Sequence, residues 1–290
     1  MSIVVTGATG QLGRLVVEDL LRRGTPASQV VATGRATERL ADLADRGVEV
    51  RRADYADPAS LGAAFAGAET VLLVSSSTVG QRLPDHRRAV DAAAAAGVAR
   101  VAYTSIVNAG TTRMQLAAEH QGTEQHLRES GLAWTLLRNG WYLENYLGQL
   151  PVFLEHGAVL GSAGQGRVSA ATRADYAEAA AVVLTTEGHA GAAYELGGDT
   201  AFTLDELAQQ LSGATGREIV YRDLPVDDYT AVLAGAGVPE PMARVLADAD
   251  AGLARGELFT DSGDLSRLIG RATTPLGDAL GAALASAQAR

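Results

Sequence analysis

Residues Thr6-Gly7-Ala8-Thr9-Gly10-Gln11-Leu12-Gly13 join a β-branched run, Ile3-Val4-Val5, to an amphipathic stretch that begins at Leu12. Few folds turn a strand through three glycines directly into a helix. Gly7 permits the tight turn, Gly10 removes the Cβ that would block a pyrophosphate, and Gly13 lets helix and strand pack closely. The helix N-terminus then offers free N–H groups and a partial positive charge to phosphates. A purely structural glycine turn is the plainer alternative, but the strand–turn–helix context favours a dinucleotide site. Gly7, Thr9, Gly10, Gln11, Leu12 and Gly13 are its first candidates.

The chain beyond this turn repeats the same alternation. Strands are expected at Ile3–Thr6, Val30–Thr33, Val48–Arg51, Thr70–Val74, Arg100–Thr104, Thr135–Arg138 and Ala192–Leu196, with helices at Leu12–Arg23, Thr37–Arg46, Pro58–Ala66, Arg87–Ala96 and Leu116–Glu129. Alternating β and α segments predict an α/β doubly wound parallel sheet, the Rossmann arrangement. After residue 140 the pattern changes. Asn139–Leu150 is aromatic and polar, Gly157–Gly166 reads as a glycine-rich loop, and Thr203–Glu206 fits a capping box. Glu218–Arg222 reads as a lone strand, and residues 226–289 as short helices broken by Gly235, Gly237, Pro239 and Pro241. The organisation expected is a dinucleotide-binding domain at 1–140, with 172–198 returning to it. A smaller, mainly helical substrate-covering region would span 199–290, with 141–171 contributing.

Composition removes several chemistries. A net charge of −10 disfavours nucleic acid, which needs a basic footprint. There is no cysteine, so disulfides, thiolate metal sites and thiol nucleophiles are excluded. No apolar run is long enough to span a bilayer, and a strand starting at Ile3 leaves no room for a signal peptide. The expectation is a cytoplasmic monomer or homodimer without a metal. All 24 basic side chains are arginine, so no mechanism that needs a catalytic lysine is available.

The cofactor type follows from the second strand. An NAD site usually places a carboxylate there against the ribose 2′-hydroxyl, but the residues are Thr33-Gly34-Arg35-Ala36. Arg35 can fork onto a 2′-phosphate, and a charge-assisted contact of about 1.5–3 kcal/mol favours NADPH by roughly ten- to hundredfold. The alternative is a solvated loop arginine. Asp54 fits either the adenine amino group or a turn. Ser75, Ser76 and Ser77 end the fourth strand, where this fold binds its ligand.

Ordinary short-chain dehydrogenases pair Tyr-x-x-x-Lys, and that pair cannot exist here. Tyr103 is followed four residues on by Val107, so it reads as a packing or lining residue. His120 stands near the lysine-equivalent place, where it could bind the ribose or relay a proton, or simply lie on a helix surface. Without a general base, alcohol oxidation is disfavoured. Quinones accept hydride more easily, because the product gains an aromatic ring and its phenolate charge is delocalised. Positioning and neutral hydrogen-bond donors then suffice.

Leu137–Tyr146 leaves the sixth strand at the same sheet edge. Asn139 fits the nicotinamide side, Trp141, Tyr142 and Tyr146 offer flat surfaces to a planar ring, and Asn145 can donate to a carbonyl. Buried packing between two lobes is the alternative for each aromatic. The Gly-x-x-Gly-x-x-Gly spacing resembles the atypical short-chain dehydrogenases/reductases. Thr6–Gly13, Ser75–Ser77 with Val79–Arg82, Tyr103–Ser105, Arg138–Tyr146, Ala171–Tyr176 and Leu268–Arg271 resemble the NmrA-like family within that group, in particular its quinone-reducing members. The resemblance implies NADPH held by the turn, Arg35, the serine run and the segment from Asn139, with Gly140, Trp141 and Tyr142; Asp54 and Arg173 complete the cofactor candidates. It implies a quinone-type acceptor near Asn145 and the neighbouring aromatics; Asn145, His120 and Tyr142 are the catalytic candidates. The family also contains dye reductases and non-catalytic redox sensors, so an NADP(H)-binding regulator is the alternative function.

Overall fold

The structure, a computed structural model, describes residues 2–288. Met1, Ala289 and Arg290, which the sequence reading assigns to its two regions, lie outside the described residues. The strands are β1 (Ile3–Val5), β2 (Val30–Gly34), β3 (Glu49–Arg52), β4 (Thr70–Leu73), β5 (Arg100–Ile106), β6 (Ala133–Asn139), β7 (Ala158–Gly161), β8 (Ala192–Leu196) and β9 (Val220–Asp223). Seven of them form one parallel sheet in the order β3-β2-β1-β4-β5-β6-β8. Val5 of β1 registers with Ala32 on one side and Leu72 on the other. β1 and β4 are buried throughout. That explains their unbroken apolar runs, since helices cover both faces of such a sheet.

The helices of the first half are α1 (Gln11–Arg22), α2 (Ala41–Ala44), α3 (Pro58–Phe65), α4 (Arg82–Ala95) and α5 (Gln115–Glu129). They are followed by α6 (Leu143–Leu147), α7 (Leu150–His156), α8 (Arg173–Thr185) and α9 (Leu204–Thr215). The last four are α10 (Val226–Gly235), α11 (Glu240–Ala254), α12 (Asp264–Ile269) and α13 (Leu276–Gln288). Val16 and Leu20 of α1 pack with Ala177, Ala181 and Leu184 of α8 on one face of the sheet. Leu61 and Phe65 of α3, Val90 of α4 and Leu127 of α5 fill the other. A third core gathers Leu143, Tyr146, Leu150, Phe153, Val168, Phe202, Leu207 and Leu253 beyond the carboxyl ends of the strands. The strand order reverses between β1 and β4, which opens a crevice there. No helix among the described residues is long and apolar enough to cross a membrane.

Four local expectations are corrected. Thr37–Arg46 is not one helix: a 3-10 turn at Thr37–Leu40 runs into the single turn of α2. Its chain then closes at Gly47, where Val48 N–H reaches Leu43 O at 3.1 Å. The helix expected at Arg87–Ala96 starts at Arg82, because Pro84 falls in the first turn, where its missing N–H leaves no bond unmade. Gly157–Gly166 is not all loop, and Glu218–Arg222 is not a lone strand. Ala158 pairs with Val220 and Gly161 with Asp223 in a two-stranded parallel sheet. Expected and observed strand ends otherwise differ by one or two residues, as at β5, which continues past Thr104 to Ile106. The Thr203–Glu206 capping box is present in full.

Candidate functional site

Among the described residues, no side chain caps the helix that the glycine turn opens. Gly7 adopts φ 61°, Ala8 N–H is tied to Thr33 O at 2.8 Å, and Gly10 N–H to Gly7 O at 2.9 Å. A Cβ on Gly13 would stand 2.5 Å from Gly7 O, so only glycine allows this approach of helix to turn. Gly10 is the N-cap of α1 and brings no side-chain acceptor, and the first turn holds no acidic residue. The amides of Gln11, Leu12 and Gly13 therefore retain their capacity for an anion. Arg35 is exposed beside the turn and has no protein partner among the described residues. Asp54 receives the Ala56 N–H on Oδ1 at 3.0 Å, so it shapes its own turn while still lining the crevice.

The serine run follows β4 and is held from below. Ser75 N–H donates to Thr104 Oγ1 at 2.8 Å, and Ser76 N–H donates to His86 Nε2 at 3.0 Å. Arg82 Nε donates to Ser76 O at 2.7 Å. Tyr55 O–H donates to Val74 O at 2.7 Å and sits 2.6 Å from Thr6 Oγ1. Glu119 caps the start of α4 from a neighbouring helix, accepting from Gly80 N at 3.1 Å and Leu83 N at 3.2 Å.

β6 delivers the third part. Asn139 is buried, and its Oδ1 has no hydrogen-bond partner, an acceptor waiting for a donor. Gly140 N–H donates to Leu196 O at 2.7 Å, and a Cβ there would meet Tyr176 Oη at 2.9 Å. The Arg173 guanidinium lies 4.6 Å from the Tyr142 ring centroid and donates to Asn145 Oδ1 at 3.0 Å. His120 is buried, with Nδ1 2.7 Å from the hydroxyl of the fully buried Tyr103. Burial, then the nearby Arg82 charge, holds the His120 imidazole well below its usual range, so it is neutral. Burial also raises the Tyr142 phenol.

These three parts line one cavity of about 660 Å³. Gly7, Thr9, Gly10, Gln11, Leu12, Gly13, Arg35, Asp54, Ser75, Ser76, Ser77, His120, Asn139, Gly140, Trp141, Tyr142, Asn145 and Arg173 all face it. Tyr146 does not. One residue further round α6 than Asn145, it turns into the third core, 7% exposed and edge-on to Phe202. The surface-helix alternative for His120 also fails, since it is 6% exposed. Sequence reasoning passed over Tyr55, Arg82, Asp85, Ser105, Ile106 and Leu116, which also line the cavity. Arg82 and Ser105 lie in segments that carry the family resemblance, and that was their only signal. Ser105 Oγ donates to buried Glu124 at 2.7 Å, which leaves it an acceptor toward the cavity.

The sequence profile of the NmrA-like family matches residues 1–273. Quinone oxidoreductase 2 of Escherichia coli (strain K12) is 50% identical over 278 residues, covering 96% of this chain and 97% of that protein. A crystal structure of an NADPH-dependent quinone oxidoreductase from Escherichia coli, complexed with NADPH, superposes with a TM-score of 0.95. It is 49% identical and covers 97% of this chain and 99% of that one. The triphenylmethane reductase of Citrobacter sp., solved with NADP(H), gives a TM-score of 0.92 at 40% identity, over 97% of this chain and 100% of that one.

Proposed function

Because the chain belongs to the NmrA-like family, we propose that it is an NADPH-dependent oxidoreductase that passes a hydride to a quinone-type acceptor. The observation that carries this reading is the continuity of one cavity from the uncapped glycine turn to the Trp141–Asn145 segment. The residues fit a dinucleotide. The α1 amides and Arg35 suit the phosphates, Ser75–Ser77 a ribose, and the orphaned Asn139 Oδ1 an amide donor such as a carboxamide. Bound there, the cofactor supplies the hydride.

The protein's part is to place and to hydrogen-bond. Trp141 and Tyr142 offer aromatic surface at the far end of the cavity, where Ile106 and Leu116 add apolar wall. Asn145 and His120 supply neutral hydrogen-bond donors for an acceptor oxygen that gains charge, and no Tyr-x-x-x-Lys pair takes part. Residues 2–140 with 172–198 form the cofactor half of this arrangement; Trp141, Tyr142 and Asn145 of 141–171 line the acceptor end, and residues of 199–288 pack behind that segment without lining the cavity. Space beside the nicotinamide end, walled by aromatics, favours turnover over the sensor reading, which needs no such room.

The test is NADPH oxidation by the purified protein with and without 1,4-benzoquinone, followed by loss of NADPH absorbance. A quinone-dependent rate well above the uncatalysed one is expected. Tight NADPH binding with no such rate would return the protein to the regulatory alternative.

A further inference from the structure

Behind the cavity wall, Tyr103, His86, Thr123 and His120 form a buried network in which every proton can be placed. Ser76 N–H points at His86 Nε2 at 3.0 Å, so that nitrogen accepts and the His86 proton resides on Nδ1. His86 Nδ1 then donates to Thr123 Oγ1 at 3.1 Å, and the Thr123 hydroxyl donates in turn to Glu119 O at 2.7 Å. The Tyr103 hydroxyl neighbours Thr123 as well, but Thr123 Oγ1 is engaged by His86 Nδ1 and Glu119 O, and the acceptor in close hydrogen-bond reach is His120 Nδ1, 2.7 Å away. A buried hydroxyl with no acceptor would be costly, so Tyr103 donates. An imidazole that accepts on Nδ1 and is neutral must carry its hydrogen on Nε2. That Nε2 has no protein partner among the described residues, and His120 lines the cavity.

We propose that His120 is a catalytic residue that offers a neutral Nε2–H to the acceptor oxygen, and that Tyr103 is the positioning residue that fixes this tautomer. The proposal rests on the quinone-reductase reading and specifies how its oxyanion is met. In the overall reaction NADPH, a quinone and one proton give NADP⁺ and a hydroquinone. The nicotinamide C4–H bond breaks as its hydride bonds to one quinone oxygen, the ring becomes aromatic, and the displaced electron pair ends on the opposite carbonyl oxygen as a phenolate. His120 hydrogen-bonds that oxygen and keeps its own proton, and water delivers the proton that completes the hydroquinone. The surroundings oppose any other division of labour. From α4, the buried Arg82 guanidinium and His86 face the ring; from β5, Tyr103; and on α5 itself Glu119 stands 3.8 Å from Arg82. Beside Arg82, an imidazolium is disfavoured. A tyrosinate at Tyr103 is disfavoured by burial, which raises its phenol. A donor that cannot charge remains a donor throughout turnover, as electrostatic preorganisation requires.

The test combines nitrogen NMR of the ¹⁵N-histidine-labelled protein with kinetics. One of the five histidines, identified by its absence in His120→Gln, should stay neutral and Nε2-protonated from about pH 6 to 8. Tyr103→Phe should abolish that tautomer preference. His120→Gln keeps an N–H donor and should retain kcat within about tenfold, whereas His120→Leu should lose about a hundredfold, both with unchanged NADPH KM. An Nδ1-protonated or charged His120 in the wild type, or equal losses in the Gln and Leu variants, would overturn the proposal. A wild type without quinone-dependent turnover would remove the parent reading and the catalytic role of His120, while the NMR result alone would decide the role of Tyr103.

Discussion

The side chain of Thr9 occupies the space that a Cβ on Gly34 would fill: its Cγ2 would lie 2.5 Å away and its Oγ1 2.8 Å. Gly34 ends β2 and Thr9 is the middle of the phosphate turn, so the two segments interlock through a missing methyl group. Gly34→Ala must therefore push Thr9, and with it the turn that Ala8 N–H ties to Thr33 O at 2.8 Å. Overpacking of this kind costs about 1–3 kcal/mol. Because the turn is the adjustable partner, the loss should appear mainly in cofactor affinity. We expect NADPH to bind roughly tenfold more weakly in a fluorescence titration, about 1.4 kcal/mol. Unaltered affinity would mean that Thr9 moves without the turn.

Arg35 gives a selective effect. It is exposed and makes no hydrogen bond or ion pair among the described residues, so its removal should leave thermal stability unchanged. Arg35→Ala should weaken NADPH by roughly ten- to hundredfold and leave NADH as it was, the difference being one charge-assisted contact. Parallel titrations with both dinucleotides decide it. An equal loss for the two would assign Arg35 to the shared part of the cofactor.

Arg173 dictates which way Asn145 faces. A guanidinium has no acceptor, so the atom 3.0 Å from Arg173 is the amide oxygen, and Nδ2 is left as a donor without a protein partner among the described residues. Asn145→Leu should lower kcat/KM for the quinone by about ten- to hundredfold, with NADPH affinity retained. Arg173→Met keeps the amide but frees its rotation, and should lose less of the quinone rate than Asn145→Leu. If Arg173→Met proves the more damaging, the guanidinium itself meets a ligand.

What could be read from the chain was mostly what a strand delivers to the sheet edge. Thr6–Gly13, Ser75–Ser77 and Asn139–Asn145 each follow a strand, and parallel pairing brings all three ends to one side. Of the residues that reach the cavity from helices, His120 and Arg173 were read from the chain, while others were not, and neither were Ser105 and Ile106 at the end of β5. Arg82 arrives from the first turn of α4, and Leu116 from α5, positions fixed by helix packing and not by spacing. β7 was read as loop, and β9 only as a lone strand, for a related reason. Each is four residues long, and Gly161 and Asp223 meet only after the chain between them has folded. Tyr146 was misplaced because one step along α6 rotates a side chain by about 100°, enough to move it from the cavity to the third core.

Asp250, remote from the cavity, carries the clearest pH signature in the fold. Burial raises its carboxyl from 3.8 to about 6; the Ser162 N–H on Oδ2 at 2.9 Å works against this, and the charge of Asp223 adds to it. Between those two values the folded state holds a proton that the unfolded chain has released. Its contribution to stability is therefore full below about pH 4 and is lost as pH rises through about 6. Asp250→Asn keeps an oxygen for the Ser162 N–H and cannot ionise. The variant's stability relative to wild type should rise across this window by roughly 1–3 kcal/mol and stay level above it. Carboxylates such as Glu257, held down to about 2 chiefly by the Arg255 hydrogen bond, destabilise the protein in acid equally in both forms and cancel in the difference. Urea unfolding of the two proteins at a series of pH values gives that difference directly. A gap that does not change with pH would mean that Asp250 ionises in the folded protein as easily as in water.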